Sequence, residues 1–203
     1  MSKREAILDA ATELFARKGY NGTAVSEIAL QADVAQGTIF HHFKSKENLL
    51  VSICDVLVKE YLNGVREAAA GSGTGWESLE RVLNFNLSFK KEQYESIVVA
   101  SRETWSLDRQ DEDLYKHFCG LMGQIIEIIS DCIERGVTDG SIREVPTNIT
   151  ALLIHILLTG ITHIQIQGLL TLPDLDAEVV QFCCRSLCAE KVSEKEQFAN
   201  IGG

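Results

Sequence analysis

Proline and aromatic residues are scarce in this chain, and so are the signatures of β-strands. The 203 residues include two Pro, two Trp, four Tyr and eight Phe. No segment alternates apolar and polar residues between the turn signals that mark β-hairpins. Apolar residues instead recur every three or four positions, which is the spacing of one face of a helix. The sequence therefore predicts an all-α fold.

The chain also lacks the features of a disulfide-linked secreted protein. No signal-peptide pattern is present, and most of the six cysteines lie among apolar residues at helical spacing. We therefore expect reduced thiols in a cytoplasmic protein. In the cluster Cys183-Cys184-x3-Cys188, the spacing places Cys184 and Cys188 on one helix face. A thiol sensor or a soft-metal site remains an alternative there.

No charged side chain lies between Glu144 and Asp174. The core of this run, residues 149–170, is long enough to span a bilayer. No basic cluster flanks it, and it contains four polar side chains that are costly in hydrocarbon, namely His155, His163, Gln165 and Gln167. We therefore predict a helix buried between subunits and no membrane association.

Enzyme signatures are absent as well. The sequence contains no nucleophile–base set and no metal-ligand spacing. The glycine-rich segment 71–75 is not a phosphate loop, because no strand precedes it and no Gly-Lys-Ser/Thr ending follows. We predict no catalysis, no cofactor and no resident metal.

Charge is unevenly distributed along the chain. The formal net charge is −10, yet the first 47 residues hold six Lys and Arg against six Asp and Glu. All of the excess acid therefore lies downstream, where it repels phosphate. Any contact with nucleic acid is expected at the N-terminal end.

Two short helices are predicted at that end. Residues 3–18 form an amphipathic helix that Gly19 ends. Thr23 is placed to cap a second helix over residues 24–32, after which Asp33 breaks the pattern. Each helix is too short to be stable alone, so we expect their apolar faces to share one small core.

The stretch 34–46 carries a third helix with two different faces. Ile39 and Phe43 are four residues apart and anchor it, while polar residues occupy the other faces. Two short helices joined by a turn, the second with an exposed polar face, form a helix-turn-helix. The second helix of such a motif can enter the major groove of DNA.

Particular residue types at fixed spacing strengthen this prediction. They run Ala10-Ala11-x2-Leu14-Phe15-x3-Gly19-Tyr20-x2-Thr23, then Ile28-Ala29-x2-Ala32-x-Val34, then Gly37-Thr38-Ile39-Phe40-His41-His42-Phe43-x-Ser45-Lys46-Glu47-x-Leu49-Leu50. Over about its first quarter, the chain resembles the TetR family of bacterial transcriptional regulators. The resemblance implies a DNA-binding domain over residues 1–46 and a ligand-binding and dimerisation domain over residues 47–203.

The resemblance also implies which side chains face DNA. Thr38, His42 and Lys46 hold positions that contact the DNA backbone in the family, and Gln36, Gly37 and His41 lie where family members contact bases. A surface role without DNA contact is the alternative for both histidines. The full predicted DNA-binding set is Thr23, Ser26, Gln36, Gly37, Thr38, Phe40, His41, His42, Lys44 and Lys46.

Three positions depart from the family pattern. Asp33 replaces a common glycine, which is tolerable because Asp visits the left-handed region more readily than most residues. Ala35 replaces a common Ser or Thr cap, which weakens the helix by about 1 kcal/mol. Phe40 replaces a common Tyr and so lacks a hydroxyl for phosphate. These departures predict weaker DNA binding, not its loss.

The remaining helices are predicted over residues 46–70, 76–91, 93–107 and 111–135, with a turn at 136–140. Cavities between bundle helices bind small ligands. The predicted effector-binding residues are Cys54, Phe85, Phe89, Trp105, Phe118, Cys119, Met122 and Ile126. An ordinary hydrophobic core is the alternative for these side chains.

The last two helices, over about 147–170 and 175–189, offer more apolar surface than one subunit needs. In the family that the chain resembles, these helices form a four-helix dimer interface. The predicted interface residues are Leu152, Leu153, His155, Ile156, Gly160, His163, Ile164, Val179, Phe182, Ser186 and Leu187. Ligand contact is the alternative for the two histidines.

Together these expectations describe a ligand-responsive regulator, specifically a repressor. A homodimer binds a near-palindromic double-stranded operator, and an unknown small-molecule effector releases it. A protein of the same fold that reads little DNA and acts as an interaction or coactivator protein is the alternative. The acidic body, Ala35 and Phe40 motivate that alternative.

Overall fold

A computed structural model describes residues 2–103, 112–168 and 174–189. Its helices are α1 Lys3–Lys18, α2 Val25–Gln31, α3 Gln36–Phe43, α4 Lys46–Ala69, α5 Gly75–Glu92, α6 Tyr94–Glu103, α7 Glu112–Asp139, α8 Thr147–Ile166 and α9 Leu175–Leu187. Over these residues the structure contains no strand, only an isolated antiparallel bridge between Ile142 and Cys188. The predicted all-α class is confirmed.

Local side-chain caps fix the ends of two helices in the N-terminal half. At the start of α1 the Ser2 hydroxyl accepts from the Glu5 amide at 3.2 Å, and the Glu5 carboxylate accepts from the Ser2 amide at 2.7 Å. Gly19 ends α1 with φ at 77°, in the region that favours glycine. The Ser45 hydroxyl accepts from the Asn48 amide at 3.0 Å and caps α4.

Thr23 does not cap α2, which corrects the sequence-based prediction. Ala24 is the N-cap residue, and its amide donates to the carboxylate of Glu27 at 2.9 Å. Thr23 is only 2% exposed, and its hydroxyl donates to the carbonyls of Gly19 at 2.9 Å and Leu14 at 3.3 Å. Its side chain therefore fastens the end of α1 to the start of α2.

A first hydrophobic cluster, the N-terminal cluster, joins α1 to α4 and includes one residue of α6. Phe15, Ile28, Ile39 and Phe43 bring the first three helices together. Its other buried members are Ile7, Ala10, Ala11, Leu14, Ala29, Leu49, Leu50, Ile53, Cys54 and Val99. The predicted boundary at residue 46 thus lies beside a core that also uses the first two turns of α4.

A second cluster, the C-terminal cluster, is built from α4, α5, α7, α8 and α9. Leu79, Leu83, Ile125, Ile129 and Ile133 are fully buried at its centre. The end of α7 differs from the prediction, since the helix continues through residues 136–139 and only Gly140, at φ 77°, leaves it. The sequence predicts that Gly136 ends the helix. In the fold it stays helical and allows α5 and α7 to cross closely.

Gly75 at the start of α5 lies at that crossing. A Cβ atom on Gly75 would lie 2.0 Å from the backbone nitrogen of Gly136 and 2.6 Å from the carbonyl oxygen of Cys132. Two backbones cannot approach this closely with a side chain between them. Gly75 therefore sets the distance between α5 and α7.

We expect Gly75→Ala to lower the free energy of unfolding by about 1–3 kcal/mol, because overpacking forces the backbone to shift. Denaturant titration monitored by circular dichroism measures the change. Gly120→Ala in α7 is the matched control, since its Cβ would meet nothing within 4 Å. An equally small effect of both substitutions would contradict the close crossing.

Helix α8 is long and apolar enough to cross a membrane by length and composition, with a mean hydropathy of 1.8. It packs mainly on α7. Only 22% of its most apolar window is buried within the protomer. One helix face is therefore left to solvent or to a partner.

Lys90 ties the C-terminal end of α5 to α8 and α9. Its ammonium donates to the Gln165 side chain at 2.8 Å and to the Asp176 carboxylate at 2.7 Å. Partial burial favours a higher pKa for Asp176, but Lys90 and Lys91 outweigh it and lower the pKa. Lys90 thus anchors the ends of α5, α8 and α9 together on one side of the C-terminal cluster.

Candidate functional site

Helix α3 is anchored by two side chains and exposes the rest. Ile39 and Phe43 are buried in the N-terminal cluster, as predicted. Its other faces expose Gln36, Gly37, Phe40, His41 and His42. Thr38 is half-buried. A helix so anchored presents hydrogen-bonding side chains on a fixed surface.

The ends of α3 have the features that its sequence suggests. Asp33 adopts φ 51° in the turn before it, as the substitution for glycine requires. Ala35 is the N-cap residue and makes no side-chain cap hydrogen bond. Lys44 ends the helix at φ 63° with its side chain exposed. The lysine and the two histidines give this end of the helix its basic character.

Gly37 lies on the exposed side of α3 with free space around it. A Cβ atom there would meet nothing within 4 Å, and the residue is helical without a positive φ. Neither backbone conformation nor packing against the described residues therefore requires glycine at this position. A close approach by another molecule is the remaining physical reason for the missing side chain.

Lys46 lies differently from the exposed phosphate contact that its position implies. Its ammonium donates to the carbonyl of Tyr20 and lies 4.2 Å from the centroid of the Tyr20 ring. The side chain is half-buried and fastens the first turn of α4 to the α1–α2 connection. Stabilising this turn is thus its evident role in the structure.

The two predicted contact residues before α3 also differ from each other. Ser26 is exposed on α2. Thr23 is buried, and its hydroxyl is committed to two carbonyls. A DNA contact through the Thr23 side chain is not supported by this arrangement.

Helix α6 contacts the first helix of the chain from the other half of the molecule. Val99 is buried in the N-terminal cluster, and the Arg102 guanidinium donates to the carbonyl of Ala16 at 3.1 Å. Ala16 lies near the C-terminal end of α1. Neither contact was predicted, because sequence spacing gives no signal for a bond between residues 86 positions apart.

An aromatic cluster between α4 and α5 contains part of the predicted effector site. Tyr61, Phe85 and Phe89 have ring centroids 5.3–5.8 Å apart. The Asn86 amide donates to the Tyr61 hydroxyl at 2.8 Å. The other polar atom of that buried amide, Oδ1, has no hydrogen-bond partner among the described residues.

The other predicted effector residues are dispersed. Cys54 belongs to the N-terminal cluster, Phe118 packs against both clusters, and Cys119 is exposed. Neither cysteine therefore lies with the aromatic cluster, and their predicted effector contacts stay predictions. Met122 and Ile126 are half-buried against the C-terminal cluster. Trp105 lies outside the described residues.

An open depression of about 820 Å³ lies between the ends of α4 and α7. Its lining includes Arg66, Asp131, Glu134, Arg135 and Asp139. None of the predicted effector residues lines it. With acidic and basic groups on its walls and an open mouth, it lacks the apolar enclosure typical of a small-ligand site.

We expect Tyr61→Phe to lower the free energy of unfolding by about 1–3 kcal/mol, because the buried Asn86 amide loses its hydrogen-bond acceptor. Tyr94→Phe is the control, since Tyr94 is exposed. Urea titrations of the two variants measure the difference. Equal effects would contradict the buried pair.

The same pair gives a pH dependence. Burial raises the pKa of Tyr61 to about 12, against an opposing effect of the Asn86 hydrogen bond. Because the folded pKa lies above the unfolded value of about 10, this contribution to stability is complete below pH 10 and is lost towards pH 12. The Tyr61→Phe variant lacks this component of the alkaline decline.

The free side of α8 and one residue of α9 form an exposed apolar surface, here called the α8–α9 face. It consists of Ile149, Leu152, Leu153, Ile156 and Ile164 of α8 and Phe182 of α9. His163 is exposed, and a Cβ atom added to Gly160 would meet nothing within 4 Å. Ile149 was missed by the prediction, although it lies three residues before Leu152 in the same uncharged run.

Other predicted interface residues face inwards. Val179 and Leu187 are buried in the C-terminal cluster, so their side chains are unavailable to a partner, which corrects the prediction. The Ser186 carbonyl accepts from the Arg143 guanidinium at 2.7 Å. His155 is half-buried, and burial lowers its pKa. Its Nδ1 has no partner among the described residues.

Known proteins with similar sequences identify the N-terminal part. The family model described as bacterial regulatory proteins of the tetR family matches residues 7–53, which include α1 to α3 and the start of α4. The fatty acid metabolism regulator protein of Bacillus subtilis is 29% identical over 138 residues, covering 68% of this chain and 70% of that protein. This N-terminal part belongs to the TetR family.

Solved structures of known proteins, including one TetR-family transcriptional regulator, have the same fold. PfmR from Thermus thermophilus superposes with a TM-score of 0.76 at 23% identity, covering 89% of this chain and 97% of its own. AibR, solved with isovaleryl coenzyme A and operator DNA, superposes with a TM-score of 0.69 at 18% identity. The match covers 90% of this chain and 96% of the AibR chain. The relatives that share this N-terminal domain are transcriptional regulators rather than enzymes.

Proposed function

We propose that this protein is a homodimeric, ligand-responsive repressor that binds a near-palindromic operator in the cytoplasm. The observation that carries the proposal is α3, which is anchored by Ile39 and Phe43 and exposes a polar face with an open glycine. An anchored helix of this kind fits the major groove. Residues 1–46 provide the DNA-binding domain in this proposal, and residues 47–203 provide effector binding and dimerisation.

Exposure divides the DNA-contact residues into groups. Gln36, Gly37 and His41 are proposed to face bases, and a glutamine is able to pair with adenine. Thr38 and His42 are proposed to contact the DNA backbone. Ser26, Phe40 and Lys44 are exposed beside them and complete the surface. Lys46 contributes mainly by holding the turn at Tyr20.

The α8–α9 face supports the proposed homodimer. Among the described residues, its six large apolar side chains are left 41–62% exposed. Pairing with the same surface on a second copy would bury them about a twofold axis. Two α3 helices would then be held at a fixed separation, as two half-sites of DNA require.

Helix α6 is the proposed route from effector to DNA. It packs against α4 and α5, contributes Val99 to the N-terminal cluster and holds α1 through Arg102. A ligand that changes the packing of the aromatic cluster would move α6 and with it the DNA-binding helices. Such a ligand releases the operator only if it binds the released geometry more tightly.

Acyl-coenzyme A thioesters are the first effector class to test. The Bacillus subtilis relative is named for fatty acid metabolism, and the AibR structure contains isovaleryl coenzyme A. The aromatic cluster with its Asn86 oxygen offers an apolar environment with one hydrogen-bond acceptor. Isovaleryl and palmitoyl coenzyme A, with free coenzyme A as control, distinguish short from long acyl chains.

Selection of bound duplexes from a random pool tests the DNA-binding proposal. We expect an inverted repeat and an affinity that falls steeply as salt rises, because Lys, His and backbone amides replace counterions on phosphate. His41→Ala should weaken binding to the selected duplex, whereas Tyr94→Ala on α6, outside the proposed DNA and dimer surfaces, should leave it unchanged. No enriched sequence, together with unchanged affinity in His41→Ala, would refute the proposal.

The interaction-protein alternative makes the opposite prediction. The net charge of −10, the uncapped Ala35 and Phe40 in place of tyrosine motivate it. A protein of that kind would bind duplex DNA weakly at low salt and without sequence preference. The salt titration and the selection together separate the two functions.

A further inference from the structure

Cys184 and Cys188 lie together at the end of α9, and the DNA-binding function does not use them. Their sulfur atoms are 3.2 Å apart. A disulfide bond is about 2.05 Å long, so the pair needs an approach of roughly 1 Å. We propose that Cys184 and Cys188 form a reversible intramolecular disulfide when the protein meets a hydroperoxide.

The backbone at this point permits that approach. Cys188 is the C-cap residue and has extended backbone angles, φ −61° and ψ 137°, so it lies beyond the last helical residue, Leu187. The Cys188 amide still donates to the Cys184 carbonyl at 2.8 Å, so the thiols approach by side-chain rotation and a small shift of the extended Cys188 backbone. The two thiols can therefore close without unwinding α9.

Exposure distinguishes this pair from the other thiols. Cys184 and Cys188 are both half-exposed, whereas Cys54, Cys132 and Cys183 are buried. Burial, and then the neighbouring Cys184, raise the pKa of Cys183 to about 11, which keeps it in the unreactive thiol form. Cys119 is exposed on α7, away from this end of α9.

The two thiols are suited to successive roles. Burial, followed by the hydrogen bond with Cys184, raises the pKa of Cys188 to about 12. In the proposed step the Cys184 sulfur attacks the peroxide oxygen, its proton leaves with the departing hydroxide as one water, and a sulfenic acid remains on Cys184. The Cys188 sulfur then attacks the Cys184 sulfur, its proton leaves with the hydroxide as a second water, and the S–S bond forms. Two thiols and one hydrogen peroxide thus give one disulfide and two waters.

The pair lies where the end of α9 is fastened to the α7–α8 connection. The Arg143 amide donates to the Leu187 carbonyl at 2.9 Å, and the Ala189 amide donates to the Ser141 carbonyl at 3.3 Å. Moving Cys188 towards Cys184 shifts both hydrogen bonds. Since α9 also carries Phe182, we infer that the redox state changes dimer affinity, a consequence that rests on the proposed homodimer.

Trypsin provides a direct test, because Arg185 lies between the two cysteines. Full-length reduced protein is treated with one equivalent of hydrogen peroxide, its remaining thiols are alkylated, and it is digested and measured by mass spectrometry. We expect peptide 144–185 to be linked to peptide 186–191, with the intact oxidised chain at monomer mobility on a non-reducing denaturing gel. Dithiothreitol should separate the two peptides.

Single substitutions assign the bond. The link should disappear in Cys184→Ser and Cys188→Ser and persist in Cys183→Ser and Cys119→Ser. A link that survives in Cys184→Ser, a chain-to-chain disulfide on the gel, or oxidation of Cys119 without any link would overturn the proposed site.

Sedimentation analysis tests the effect on the dimer. We expect at least a threefold change in the dimer dissociation constant on oxidation of wild type and none in Cys184→Ser. An unchanged constant in a protein that carries the disulfide would refute the regulatory effect. Operator binding by the reduced protein is measured separately, so failure here is distinguishable from failure of the proposed repressor.

Discussion

Replacement of Ile156 by glutamate is expected to dissociate the homodimer and abolish tight operator binding. Ile156 is 54% exposed on α8, at the centre of the α8–α9 face. In a twofold dimer each substitution appears twice, so two carboxylates would be buried against apolar side chains. An uncompensated buried charge costs about 3–5 kcal/mol, which is more than a hundredfold in the dissociation constant.

Tyr94→Glu is the matched control for this substitution. Tyr94 is 53% exposed and lies on α6, outside the α8–α9 face, so it adds the same charge at a similarly exposed position. Sedimentation equilibrium measures the dimer, and fluorescence anisotropy with the selected operator measures DNA binding. A dimer that survives in Ile156→Glu would contradict the proposed interface, provided that circular dichroism shows a folded protein.

Replacement of Gly37 by alanine is expected to separate DNA binding from stability. The added methyl meets none of the described residues within 4 Å, and alanine is the better helix former, so the free energy of unfolding should rise by about 0.4–1 kcal/mol. At the proposed surface, the same methyl would push the helix away from the base edges. The loss of one base contact costs about 1–3 kcal/mol, so we expect roughly a ten- to hundredfold weaker operator complex.

Gly120→Ala again provides the control, because it adds the same methyl at an exposed position of α7, far along the chain from α3. It should gain similar stability and retain operator affinity. Anisotropy titrations at fixed salt compare the two variants, since DNA affinity depends strongly on salt. Operator affinity that is unchanged in Gly37→Ala would show that α3 does not approach DNA as closely as proposed.

Short-range features were predictable from the sequence. The anchors Ile39 and Phe43, the end of α1 at Gly19 and the cap at Ser45 all follow from residues within one or two turns of each other. Local hydrogen bonds and helical spacing determine such features. The helix-turn-helix and its recognition helix could therefore be located without a structure.

Contacts between distant residues were not predictable in the same way. Thr23 is suited by type to cap a helix, but it donates instead to the Leu14 carbonyl nine positions earlier. The Lys46 ammonium contacts a carbonyl 26 positions away. Glycine commonly ends a helix, yet Gly136 lies inside α7, where it packs closely against Gly75 of α5.

The effector site shows a further limit. Periodicity indicates which side of a helix is buried, but not which of two clusters receives it. Cys54 and Tyr61 both lie on α4, seven residues apart, and pack into different clusters. Sequence spacing therefore grouped Cys54 with Phe85, whereas the fold assigns it to the core beneath the recognition helix. The same reasoning could not separate Val179 and Leu187 from exposed Phe182.

The shared core beneath α3 limits how this protein can be recombined with its relatives. Leu49, Leu50, Ile53 and Val99 complete the N-terminal cluster from outside the first 46 residues. A chimera joined at residue 46 would bring together half-cores that were not selected for each other. Exchange of operator specificity is better engineered by grafting only the exposed side chains of α3 onto this scaffold, with the junction between the two halves left native.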